Sequence, residues 1–172
     1  TEILLHTKHT TYKDDGTRRV KEYGETAVCN LGSINLKAHV DKGEIQWTKL
    51  SNTIEIGMRI LDNVVDINFY PTEEARKSNT TLRPVGMGSM GWHDMWYALD
   101  INIDSSKAVE LAGALYEYIS LNTILASSKL AKERGKYSTY TGSLWSKGIF
   151  PVDTHVEVCK LRGTSSKVKS SF

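Results

Sequence analysis

Cysteine is scarce in this sequence. Only Cys29 and Cys159 occur in 172 residues, with 129 residues between them, and such a pair does not build a disulfide framework. Long apolar runs and a signal-peptide pattern are also lacking, so no membrane partner is expected and the expected location is the reducing cytoplasm. A surplus of one charge is lacking too. The 22 Lys and Arg against 20 Asp and Glu leave a net charge of +2, too weak a field to gather nucleic acid, and no direct DNA binding is expected. The basic run between Lys160 and Lys169 reads as a solvated tail, and the sequon Asn79-Thr-Thr81 carries no meaning without secretion. A hydrophobic content of 40% supports one globular core or a piece of one.

The periodic stretches are helical. Leu50, Ile54, Leu61, Val64 and Val65 recur near a 3.6-residue spacing, and Ile56, Ile60 and Ile67 widen the stripe, which predicts a helix over 48–68 capped by Thr48. Pro71 stops it, residues 72–77 make a short polar helix, and 78–81 read as a loop. A second, longer helix is predicted over 105–134, through Val109, Leu115, Ile119, Leu125 and Leu130, with Gly135 as its stop. Tyr116 and Tyr118 fall at its core and rim. Asp14-Asp-Gly16 marks a turn before a polar strand or loop. His6 and His9 have no Cys, Asp or Glu at ligand spacing, so no metal site is expected there or elsewhere.

Two stretches bear on chemistry. Gly86-Met-Gly-Ser-Met-Gly91 satisfies G-x-G-x-x-G, but Arg83-Pro84 stands where a dinucleotide fold needs an apolar strand, and Asp104 falls before a helix. A glycine-bearing strand over 84–91, approached closely by another backbone or a ligand, is the plainer reading. Cys29, after Ala27 and Val28 and before Asn30 and Gly32, sits where a strand would end. Its thiol serves either packing or chemistry. Cys159, in the apolar alternation of 152–159, reads as packing.

The run Cys29-Asn-Leu-Gly-Ser-Ile-Asn-Leu36 resembles the second redox-cysteine segment of the ribonucleotide reductase large (catalytic) subunit family. Thr1-Glu-Ile-Leu-Leu5 is similar to the residues directly after that family's Asn-Leu-Cys, the site of its radical-bearing cysteine. Further similar segments come in order at Leu61–Pro71, Ser78–Gly88, Gly135–Ser143 and Ser146–Asp153. The resemblance implies an α/β fold: part of a ten-stranded α/β barrel, to which this chain would give a return strand over 25–36, the strand over 84–91 and outer helices.

For chemistry, the resemblance implies radical-based reduction of ribonucleotides to deoxyribonucleotides. A cysteine thiyl removes the 3′-hydrogen, a carboxylate takes the 3′-hydroxyl proton as water leaves C2′, and a dithiol supplies two electrons and becomes a disulfide. By that resemblance Glu2 matches the family's carboxylate and Cys29 one member of the dithiol; from the residues alone, Glu2 reads first as a solvated strand-end carboxylate. The radical-bearing cysteine, the second dithiol cysteine, the Pro-Thr-Ala-Thr phosphate loop and the effector-binding region are not found in this sequence. The expectation is therefore the middle piece of a split large subunit, completed by complementary large-subunit segments, with a trimmed fragment as the alternative. No cofactor is expected in this chain. The implied partners are a homodimeric large subunit, a radical-generating small subunit with two metals in preference to cobalamin, and a nucleoside di- or triphosphate substrate, with nucleotide effectors bound elsewhere. Two other classes stay open: a dinucleotide-dependent oxidoreductase using Gly86, Gly88 and Gly91, and a non-enzymatic helical interaction module.

Overall fold

Asp15 makes the first turn. Its Oδ1 accepts from the backbone N–H groups of Thr17 and Arg18, each at 2.9 Å, beside Gly16 at φ 84°. This folds β1 (Thr11–Asp14) antiparallel onto β2 (Arg19–Glu22), with Thr11 opposite Glu22. Every residue of both strands is exposed, so the hairpin contributes no core. The computed structural model describes Leu5 and residues 7–163, in two units divided after Gly135.

The core of the first unit is built from β3 (Asn30–Asn35), a 3₁₀ turn (Leu36–His39), a tight hairpin of β4 (Val40–Asp41) and β5 (Glu44–Ile45), and α1 (Trp47–Ile67). The strand predicted over 25–36 is thus shorter. Leu50, Ile54, Met58, Leu61 and Val65 form the buried stripe of α1, the spacing that brings one helix face onto a core. The helix caps at Gln46 rather than Thr48, because the Gln46 N–H is already bonded to the His39 carbonyl at 2.8 Å and turns the chain earlier.

Next comes α2 (Glu73–Leu82), whose start is capped by Thr72 Oγ1 accepting from Ala75 N at 3.2 Å. It continues through 78–81, where the sequence suggests a loop. Ala75, Ser78 and Asn79 share one buried face, and burial overrides the weak helix preference of Ser, Asn and Thr. Then β6 (Val85–Met90) runs parallel to β3 from Asn30↔Val85 to Asn35↔Met90; α1 and α2 supply the crossover that a parallel pair requires.

After β6 come α3 (Trp92–Ala98) and α4 (Ser106–Arg134). Ser105 caps α4 by accepting from Ala108 N at 3.2 Å, and Gly135, at φ 95°, ends it. Buried Ala108, Leu115, Ile119, Ala126 and Leu130 of α4 join Leu50, Ile54 and Met58 of α1, Ile34 of β3 and Met95 and Trp96 of α3 in one apolar cluster.

The second unit contains α5 (Pro151–Leu161), begun by a proline at its first turn and by Phe150 N donating to Asp153 Oδ2 at 2.8 Å. The alternation read over 152–159 is therefore helical, and no residue of α5 is buried. The architecture is α/β and rich in helix, with three two-stranded sheets and no closed barrel among the described residues. No helix among them is long and apolar enough to cross a membrane.

Candidate functional site

The β3–β6 pair has two different faces. Asn30, Gly32 and Ile34 are half-buried or buried, whereas Leu31, Ser33 and Asn35 are exposed, the period-2 alternation of a strand covered on one side. The covered face lies on α1. A Cβ on Gly32 would stand 3.5 Å from Leu61 Cδ2, and Met87, opposite Gly32, reaches into the space left by Gly57. On the other face Leu31 and Ser33 pair with Gly86 and Gly88, so β6 presents no side chain at those two positions and only Met90 at its far end. A Cβ on Gly88 would come 3.3 Å from Ser33 Oγ. The result is an open floor where backbone is approachable.

Cys29 stands at the head of this floor. It is a free, half-buried thiol one residue before β3, so it leads into a strand and does not close one. Cys29 is half-buried, whereas Leu31 and Ser33, the next two residues of odd number, are exposed on the open face. Glu2, the carboxylate matched to it by resemblance, lies outside the described residues, as do residues 164–172 of the basic tail. A different carboxylate, Glu25, lies near Cys29 in sequence. It is only 6% exposed, its Oε1 is 3.3 Å from Lys8 Nζ, and its backbone exchanges two 2.9 Å hydrogen bonds with Lys8. Gly24 is required beside it, because a Cβ there would fall 1.9 Å from the Lys8 carbonyl oxygen. These contacts, with Thr26 N bonded to Glu74 O at 3.2 Å, tether the approach to Cys29 against α2. Next to the thiol, Asn30 Nδ2 is buried without a hydrogen-bond partner.

Both ends of the pair are held. At the exit, His39 is buried, with Nδ1 donating to Asn35 O at 2.9 Å and Nε2 2.8 Å from Thr53 Oγ1 on α1. There Gly91 adopts φ 75°, and a Cβ on it would meet Asn35 Oδ1 at 2.7 Å. Ser89 Oγ accepts from Trp92 Nε1 at 2.9 Å and lies 2.9 Å from Tyr116 OH, beneath the stacked Trp92 and Tyr116 rings. At the entry, Arg83 ends α2 in the left-handed region at φ 48°. Its guanidinium donates to Asp62 and Asp66 of α1. The hydrogen bond from Arg83 holds the Asp66 carboxyl below the usual carboxylate range, and the same pair of carboxylates pushes the guanidinium further from deprotonation.

In the sequence, Arg83-Pro84 stood out as an obstacle to a dinucleotide strand and as part of the family-like segment Ser78–Gly88, not as a clamp, and His39 and Glu25 were given no role. The available signal was the i, i+4 spacing of Asp62 and Asp66, which puts two carboxylates on one helix face. The glycine motif has a structural explanation. Gly86 and Gly88 lie within β6, and Gly91 starts a seven-residue helix, whereas a dinucleotide fingerprint needs its glycines in the turn between strand and helix. In the second unit, Cys159 Sγ lies 3.5 Å from His155 Nε2, one helical turn away. Among the described residues no group of three or more His, Cys, Asp or Glu is placed to hold a metal ion.

Comparison with known proteins gives a single direction. The family model for the ribonucleotide reductase barrel domain matches residues 1–170. The chain is 53% identical over 136 residues to the ribonucleoside-diphosphate reductase subunit alpha of Chlamydia pneumoniae, covering 79% of this chain and 13% of that protein. It is 48% identical to the Chlamydia trachomatis subunit alpha over 96% of this chain and 14% of the relative. It is also 40% identical to the Monkeypox virus large subunit over 75% of this chain and 17% of the relative. The chain thus spans well under a fifth of the length of these relatives.

Proposed function

Because this chain belongs to the ribonucleotide reductase barrel-domain family, we propose that it forms part of the catalytic body of a ribonucleoside-diphosphate reductase and that Cys29 is one half of its reducing dithiol. The reading is supported above all by a free thiol at the head of an open, glycine-floored strand pair, within a match that runs over residues 1–170. The β3–β6 pair is then two neighbouring strands of a larger, ten-stranded α/β barrel.

In this reading the open face carries the sugar, and the bareness of Gly86 and Gly88 lets it approach the backbone. Cys29 and a second thiol from the rest of the catalytic body give up two electrons and two protons. One proton leaves with the 2′-oxygen as water, the other enters the reduced sugar in place of the lost group, and the two sulfurs close a disulfide. Glu2 takes up and returns the 3′-hydroxyl proton. The radical that opens the sugar to this reduction is supplied by a partner subunit, read as a di-metal protein. The rest of the large subunit, a second copy of it and a ribonucleoside diphosphate complete the assembly, in the cytoplasm.

The test is turnover in the assembled catalyst. Cys29→Ser is expected to abolish dithiol-supported turnover, a loss on the order of a hundredfold or more, while Cys159→Ser leaves it unchanged. Retention of full activity by Cys29→Ser would sink the assignment.

A further inference from the structure

Arg83 spends its whole side chain on one helix. Nε and Nη2 donate to Asp62 Oδ1 at 2.9 and 2.8 Å, Nη2 also reaches the Asp62 carbonyl at 3.0 Å, and Nη1 and Nη2 donate to the two oxygens of Asp66 at 2.7 and 2.9 Å. Arg134, at the end of α4, binds the other oxygen of Asp62. Asp62 is 16% exposed and Arg83 25%, so this is a partly desolvated, doubly forked arrangement that a lysine cannot reproduce. The backbone of Arg83 adopts φ 48° and ψ 51°, a conformation that costs a non-glycine residue energy and persists only where surrounding contacts enforce it.

What this clamp fixes is the first pairing of the sheet. Two residues after Arg83, Val85 pairs with Asn30, the neighbour of Cys29. The intervening Pro84 is buried and has a restricted backbone, so little slack separates the guanidinium from that first rung. We infer that Arg83 is a positioning residue for the Cys29 thiol: by holding the entry of β6 on α1, it sets the register that keeps Cys29 half-covered at the head of the open face. The link to turnover rests on the reading of Cys29 given above; the positioning itself does not.

Thiol labelling of the full chain tests this with a built-in reference, since Cys159 lies in the other unit. With iodoacetamide under native conditions, Arg83→Gln is expected to raise the Cys29 rate about tenfold through local opening while the Cys159 rate stays constant. Arg83→Lys should fall between wild type and Arg83→Gln. Asp66→Asn, which removes only the outer arm of the clamp, should give a rise of about twofold to threefold; it decides the matter if Arg83→Gln does not fold. Unchanged Cys29 labelling in folded Arg83→Gln, or in Asp66→Asn where the former is unfolded, overturns the inference. In the assembled catalyst, Arg83→Lys should lower dithiol-supported kcat with the KM for nucleotide unchanged, and a KM effect alone would assign Arg83 to binding instead. Because labelling needs no catalysis, a positive labelling result with an active Cys29→Ser enzyme would refute the dithiol role of Cys29 and leave the clamp standing.

Discussion

Cys29 and Cys159 both stand outside any disulfide among the described residues and both are half-buried, yet the surroundings that hold them differ in kind. Cys29 enters β3, whose covered face packs on α1, whose partner strand β6 is clamped at its entry by Arg83 and whose own exit is locked by His39. Cys159 sits on α5, which buries none of its residues, and its thiol meets His155 of the same helix. A thiol presented by many long-range contacts can be held in one geometry, whereas a thiol on an exposed helix turn is held mainly by the local backbone. The contrast teaches that equal exposure does not imply equal definition of position.

The largest blow to the contrast should come from beneath the sheet. Leu50 and Ile54 are fully buried in α1, and Leu50→Ala is expected to cost about 2–5 kcal/mol, read by denaturant titration of the full chain. Cys29 labelling should then accelerate and Cys159 labelling should not; parallel acceleration of both would erase the distinction between the two settings. Gly91→Ala should rank second. Its φ of 75° and the Asn35 oxygen 2.7 Å from the new Cβ predict a loss of about 1–3 kcal/mol, with Cys29 again the thiol affected.

Acid gives a graded version of the same comparison. The Arg83 hydrogen bond lowers the Asp66 carboxyl. A depressed carboxylate stabilises the folded state fully above its unfolded value, and that contribution is lost as pH falls through the folded value. Protection of Cys29 should therefore be flat above about pH 5 and decline below about pH 4, and Asp66→Asn should flatten part of the decline. Raising the pH should not release the clamp, since arginine stays protonated through any workable range. The smallest effect is expected at the exposed Arg59–Glu133 pair, with both side chains at least 42% exposed. Arg59→Gln should leave the melting temperature and both labelling rates unchanged, and a measurable shift would mean that α1 and α4 depend on surface charge as well as on their shared core.

Much of the helical content was legible because periodicity is a local signal. The stripe Leu50, Ile54, Leu61 and Val65 and the capping pair Ser105 and Gly135 announced two helices within a residue or two of their ends. Residues 78–81 misled, since Ser, Asn and Thr favour loops until a buried face is offered to them. The start of β3 also misled: Ala27 and Val28 look like strand, but pairing begins at Asn30, where β6 supplies a partner. Cys29 could be singled out from its segment. Its clamp could not, because Arg83 and Asp62 are 21 residues apart and no local rule joins them.

Residue order alone was enough for the elements with a period of their own, the poverty of thiols and the family resemblance carried by ordered segments. These depend on near neighbours along the chain, where spacing alone fixes which side chains share a face. The three-dimensional fold was needed to show that Gly86 and Gly88 lie inside a parallel strand and not in a phosphate-binding turn, that Arg83 grips two carboxylates of α1, and that Cys29 leads directly into the strand paired with β6. Each of those facts is a pairing between distant residues, and such pairings are chosen by burial and register of the whole fold.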